Sequence, residues 1–149
     1  MPKFDLILIV EDTPNLREDL KNIIELNSSN RKIVTAQNEI KALKMIQYND
    51  FDVVVTDIKL DEAGGSETGG LDVLKAALKK NKNTNVIVVT AFGKKEIRDE
   101  NADDLNRITI EEKVRKMGAF HYIQRPNPNG NYLEEVRRFV DLALKSRNA

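Results

Sequence analysis

With 149 residues the chain is long enough for one ordinary domain with a real core, and its 24 Lys and Arg balance its 24 Asp and Glu, so no net field draws it to nucleic acid or an anionic membrane. The absence of cysteine and the single histidine, His121, exclude disulfides, thiolate chemistry and any metal site built on several histidines. The apolar run Leu6–Val10 is too short to span a bilayer and, with Glu11 and Asp12 directly behind it, is not a signal peptide; a cytoplasmic location is expected.

Along the chain, short apolar runs alternate with helical stripes. The first run, FDLILIV (Phe4–Val10), precedes a stripe of Leu16, Leu20, Ile23 and Ile24, entered through Thr13 and Pro14 as N-cap and first helical residue. RKIVTA (Arg31–Ala36) is followed by Ile40, Leu43 and Ile46, and FDVVV (Phe51–Val55) by Leu71, Leu74 and Leu78. Between the last two lies EAGGSETGG, expected to be a flexible surface loop. Its Gly65 and Gly70 have the spacing of a phosphate-binding loop, but Leu71 and Asp72 stand where Lys and Ser or Thr are required. After NVIVVT (Asn85–Thr90) the polar segment KKEIRDENADDLNRI (94–108) suggests either a poorly anchored helix or a long loop. Thr109 and Glu112 then form a capping box for a helix with Ile110, Val114 and Met117 inward. AFHYI (Ala119–Ile123) and a stripe of Leu133, Val136, Val140 and Leu144 complete the series. This alternation predicts an α/β fold over residues 1–149 as a single domain: a parallel sheet, its middle strands apolar throughout, with helices on both faces.

Ligands of such sheets bind beyond the carboxyl ends of the strands. There the first run ends in Glu11-Asp12, the third is followed by Asp57, the fourth ends in Thr90-Ala91, and Arg125-Pro126 follows the fifth. Taken singly, each residue has an ordinary explanation: Asp57 as a loop cap, Glu11-Asp12 as a solvated strand end, Thr90 as a strand residue. Brought together, three carboxylates repel one another unless compensated, and oxygen ligands without His or Cys favour Mg²⁺. One carboxylate can then serve as a nucleophile toward phosphorus.

These segments carry a family resemblance. LILIVEDTPNLREDL, VVVTDIKL, VIVVTAFG and MGAFHYIQRP, in that order, resemble the four motifs of response-regulator receiver domains, the phosphoacceptor modules of two-component signalling. The resemblance implies the flavodoxin-like (βα)5 sandwich with strand order 2-1-3-4-5. It implies that Asp57 accepts a phosphoryl group from a histidine kinase or phosphotransfer protein and that Mg²⁺ is held by Glu11, Asp12, Asp57 and the backbone carbonyl of Lys59. Thr90 and the Ala91 amide would contact the phosphoryl oxygens, and Tyr122 would change rotamer with Thr90.

Three features depart from the family pattern. Arg125 stands where the family usually has Lys, and the two are not interchangeable. Insertions near 61–69 and 94–108 flank the proposed site and are expected to gate it. Only KSRNA follows the last stripe, so a stand-alone receiver is expected. Its output would be an unidentified protein bound at the face of the fourth and fifth helices and fifth strand, with no contact to nucleic acid or membrane. The competing reading is a pseudo-receiver, a phosphorylation-independent interaction module. An aspartate-nucleophile phosphohydrolase is a poorer match, because Lys59 stands where its second Asp belongs.

Overall fold

The computed structural model describes residues 4–26, 28–61, 66–98, 107–127 and 130–147. In chain order they form β1 (Asp5–Val10), α1 (Pro14–Glu25), β2 (Arg31–Ala36), α2 (Glu39–Tyr48), β3 (Val53–Thr56), α3 (Gly69–Lys80), β4 (Asn85–Thr90), β5 (Glu96–Arg98), β6 (Arg107–Thr109), α4 (Ile110–Met117), β7 (His121–Gln124) and α5 (Tyr132–Arg147). Five strands build one parallel sheet in the order β2-β1-β3-β4-β7, which is the expected 2-1-3-4-5 arrangement with β7 as its fifth strand. Among the described residues no helix is long and apolar enough to cross a membrane.

The pleat sorts the strand residues into two cores, because successive side chains point to opposite faces. Ile7, Ile9, Val53, Val55, Ile87, Val89 and Ile123 face α1 and α5, where Leu20, Ile24, Val136 and Val140 meet them. Leu8, Val10, Val54, Val86, Val88 and Tyr122 face α2, α3 and α4, against Ala42, Ile46, Val73, Leu74, Ile110 and Val114. Each large aliphatic side chain buried this way stabilises the fold by roughly 1.5–3 kcal/mol relative to exposure. The middle strands are apolar on both faces because both faces are covered.

Two local expectations are corrected. Ile40 is 66% exposed, and the inward residues of α2 are Ala42 and Ile46. The Asn38 side chain accepts from the Lys41 amide at 2.9 Å, which starts α2 at Glu39 and sets a phase that turns Ile40 outward. The 94–108 segment is neither a loose helix nor a simple loop at its ends. Glu96–Arg98 and Arg107–Thr109 pair antiparallel as a separate two-stranded sheet, with Ile97 opposite Ile108; residues 99–106 lie outside the described residues. Ile97 packs on the α2–α4 core, so an apolar contact anchors the hairpin. The expected capping box is present: Thr109 Oγ1 accepts from the Glu112 amide at 3.2 Å, and Glu112 Oε1 accepts from the Thr109 amide at 3.3 Å.

Candidate functional site

The sheet's hydrogen-bond ladder runs one residue past the ends of β1, β3 and β7, and in each case that residue is charged. The Glu11 amide donates to Ala36 O, the Asp57 amide to Val10 O and the Arg125 amide to Thr90 O, each at 3.1 Å. The pleat explains their shared side. Glu11, Asp57 and Arg125 continue the Ile7–Ile9, Val53–Val55 and Ile123 rows, the apolar rows that face α1 and α5. A charged crown thus stands on fixed backbone at one edge of the sheet.

Within that crown, Glu11, Asp12 and Asp57 are all buried, and each offers a carboxylate oxygen within 4.8 Å of the others. Arg125 Nη1 donates to Glu11 Oε1 at 2.5 Å, and Nη2 donates to Asp57 Oδ2 at 3.2 Å. The second Glu11 oxygen accepts from the Asp12 amide at 3.0 Å, and the second Asp57 oxygen from the Ile58 amide at 2.6 Å. One guanidinium does not offset the crowding of three acids. Burial, reinforced by the Asp57 charge, pushes the Glu11 carboxyl up to about 7. Burial also raises Asp57, against the opposing pull of Arg125, the Thr90 hydroxyl and the Ile58 amide. Hard oxygen donors, close spacing and uncompensated negative charge are the conditions a small divalent cation relieves, so the residues present fit Mg²⁺.

Thr90 and Tyr122 belong to the other face of the sheet. Thr90 continues the Val86–Val88 row, while Tyr122 pairs in register with Val88. The Thr90 hydroxyl reaches across the sheet's end to Asp57 and accepts from the Phe92 amide at 3.2 Å. Tyr122 is 8% exposed, and its buried hydroxyl has no hydrogen-bond partner among the described residues. Its inward seat depends on Gly93, where a Cβ would lie 1.6 Å from the phenol oxygen. Gly93→Ala should therefore expel the Tyr122 ring, at a cost of about 1–3 kcal/mol. Tyrosine nitration mapped by mass spectrometry tests this: Tyr122 should be protected in the wild type and modified in the variant.

Of the residues predicted from sequence, Glu11, Asp12, Asp57, Thr90 and Arg125 are brought together. Ala91 follows directly after β4, and the Lys59 ammonium lies 5.0 Å from the Phe92 ring centroid. His121, given no role, is half-buried and stacks on Phe139 with ring centroids 3.4 Å apart. The GGSETGG stretch is corrected in part. Gly69 and Gly70 are buried in the first turn of α3, whereas 62–65 fall outside the described residues. Sequence reasoning weighed Gly70 only for its loop spacing and missed its packing role: its amide donates to Ile58 O at 2.9 Å, and its missing side chain lets α3 approach the backbone of Asp57. It also missed Arg17 on α1, which donates from Nη1 to Glu11 O at 2.8 Å. The paired glycines at the head of an apolar stripe were the available signal for Gly70. Arg17 had none.

Comparison with known proteins agrees with this geometry. The response regulator receiver domain model matches residues 7–137, and the chain belongs to that family. It is 30% identical over 142 residues to the sensory transduction protein LytR of Staphylococcus epidermidis, covering 95% of this chain and 48% of that protein. It is 25% identical over 87 residues to the transcriptional regulatory protein ComA of Bacillus subtilis, covering 58% and 39% respectively. The chain thus spans half or less of the length of these curated relatives. The signal receiver domain of a putative Luxo repressor protein from Vibrio parahaemolyticus shares the fold with a TM-score of 0.70 at 20% identity, over 96% of this chain and 92% of that one. A CheY-like receiver domain protein from Methanospirillum hungatei does so with 0.67 at 23%, over 97% and 99%.

Proposed function

We propose that residues 1–149 act as one receiver unit in which Asp57 accepts a phosphoryl group from a histidine kinase or phosphotransfer protein in the cytoplasm. The observation that carries this reading is the buried Asp57 carboxylate at the end of β3, with Glu11, Asp12 and Arg125 around it and the Thr90 hydroxyl on it. Oδ1 is held by the Ile58 amide, so Oδ2, whose partner is a side chain able to move, is the attacking oxygen. Oδ2 forms the bond to phosphorus as the N–P bond of phosphohistidine breaks; the imidazole leaves with the electron pair and takes a proton from solvent. Thr90, the Ala91 amide and Arg125 are the groups that would receive the phosphoryl oxygens. Glu11, Asp12, Asp57 and the Lys59 carbonyl would hold Mg²⁺, which supplies neutralising charge to those oxygens. Attack by water on the aspartyl phosphate then releases inorganic phosphate and restores the carboxylate.

Output follows from protein contacts on the α4–β7–α5 side, where Phe120 and Leu142 are 37% and 47% exposed. Tyr122, seated inward beside Gly93, is the switching aromatic of this reading. A phosphoryl group shifts the balance between two Tyr122 positions only if it is bound unequally by them.

Acetyl phosphate with Mg²⁺ should give a single phosphoryl adduct by intact mass in the wild type, and none in Asp57→Asn or with a chelator. The second reading, a phosphorylation-independent interaction module, is favoured by Arg125, which already occupies both Glu11 and Asp57. It would gain if the wild type neither labelled nor bound beryllium fluoride.

A further inference from the structure

We propose that Arg125 is a built-in counter-cation that competes with the divalent cation for Glu11 and Asp57, so that metal entry must expel the guanidinium. The inference rests on the metal-dependent phosphoacceptor reading above and goes beyond it, since it makes cation binding and departure of Arg125 from the two acids one event.

The geometry points to exclusion rather than coexistence. Two different nitrogens of one planar group take one oxygen from each carboxylate, at 2.5 Å on Glu11 and 3.2 Å on Asp57. The remaining oxygens of both are held by the Asp12 and Ile58 amides at 3.0 and 2.6 Å. The pair is nearly dry, with side-chain exposures of 17% for Arg125, 1% for Glu11 and 5% for Asp57. A small hard cation binds carboxylate oxygens at about 2.0–2.1 Å and would have to share with the guanidinium the two oxygens on which Arg125 now sits. Two positive centres crowded onto the same oxygens in a poorly solvated pocket also repel. The Arg125 backbone stays put, because its amide is tied to Thr90 O at 3.1 Å. What moves is therefore the side chain. A lysine has one nitrogen and cannot divide itself between the two acids as a guanidinium does. The substitution that sets this chain apart from the family pattern is the feature that makes the bridge.

The test is a calorimetric Mg²⁺ titration of the wild type, Arg125→Lys and Arg125→Ala, with the ¹⁵N side-chain resonance of Arg125 followed in the wild type. Loss of a charge-assisted bond should tighten Mg²⁺ binding about tenfold in Arg125→Ala. Arg125→Lys keeps the charge and the salt link, yet should still bind several-fold tighter than the wild type. The Arg125 resonance should shift with the same midpoint as the heat. Equal affinities in all three proteins, or an Arg125 resonance unmoved at saturation, would overturn the competition and leave the metal site standing. Tightening in Arg125→Ala alone would also overturn it, since net charge would then suffice. Failure of all three to bind Mg²⁺ would overturn both the competition and the metal-dependent reading beneath it.

Discussion

Gly70→Ala should destabilise the protein by about 3 kcal/mol, lowering the melting temperature by roughly 10 °C, and should abolish phosphoryl labelling in whatever fraction stays folded. The added Cβ would lie 2.0 Å from the Asp57 carbonyl oxygen and 2.5 Å from Ile58 Cα. Both are backbone atoms, pinned by the Asp57 amide on Val10 O and the Gly70 amide on Ile58 O. Neither can give without moving the acceptor itself. Gly69 supplies the comparison. A Cβ there meets the Glu39 carboxylate at 2.9 Å, the far end of a flexible side chain, so Gly69→Ala should cost well under half as much. Urea unfolding of the two variants checks the contrast; equal losses would mean that α3 does not bear on the Asp57 backbone.

The second large effect is on pH. In the absence of divalent cations, Glu11 should make the protein less stable as pH rises from about 4.5 to about 7. Its carboxyl titrates near 4.5 when unfolded and is pushed up to about 7 when folded. Between those values the folded protein binds the extra proton, so stability falls with rising pH at about 1.4 kcal/mol per pH unit, or roughly 3 kcal/mol in all. Burial displaces Asp57 in the same direction. Denaturant melts across this range should show the decline in the wild type and a much shallower one in Glu11→Gln. Millimolar Mg²⁺ should restore stability at the upper end of the range, because a ligand of the folded state alone stabilises it.

Much of this was legible before any coordinates. Both helical layers follow from apolar runs such as Leu6–Val10 and Val86–Val89, whose unbroken hydrophobicity is the mark of a strand covered on both faces, and the strand order from the family resemblance. Asp57, Glu11, Asp12 and Arg125 were legible because parallel strands place all their carboxyl ends at one edge. The hairpin was not. Its strands are three residues each, and the polar–apolar–polar pattern of Glu96–Arg98 and Arg107–Thr109 is too short to outweigh the polar residues between them. The phase of α2 was misjudged because a small residue, Ala42, fills a core position that Ile40 was expected to share. Gly93, and the packing role of Gly70, escaped notice for a related reason. A glycine's value is the absent side chain, and that is visible only beside the neighbour it admits.

The most direct test of the central claim is to trap the acceptor chemically. Wild-type protein treated with Mg²⁺ and acetyl phosphate would be reduced with borohydride, which converts an aspartyl phosphate to homoserine, then digested and mapped by mass spectrometry. The expected result is homoserine at position 57 and nowhere else, dependent on both phosphodonor and Mg²⁺. Homoserine at another acidic residue, or an unreduced Asp57 in protein that carries the adduct, would contradict the assignment.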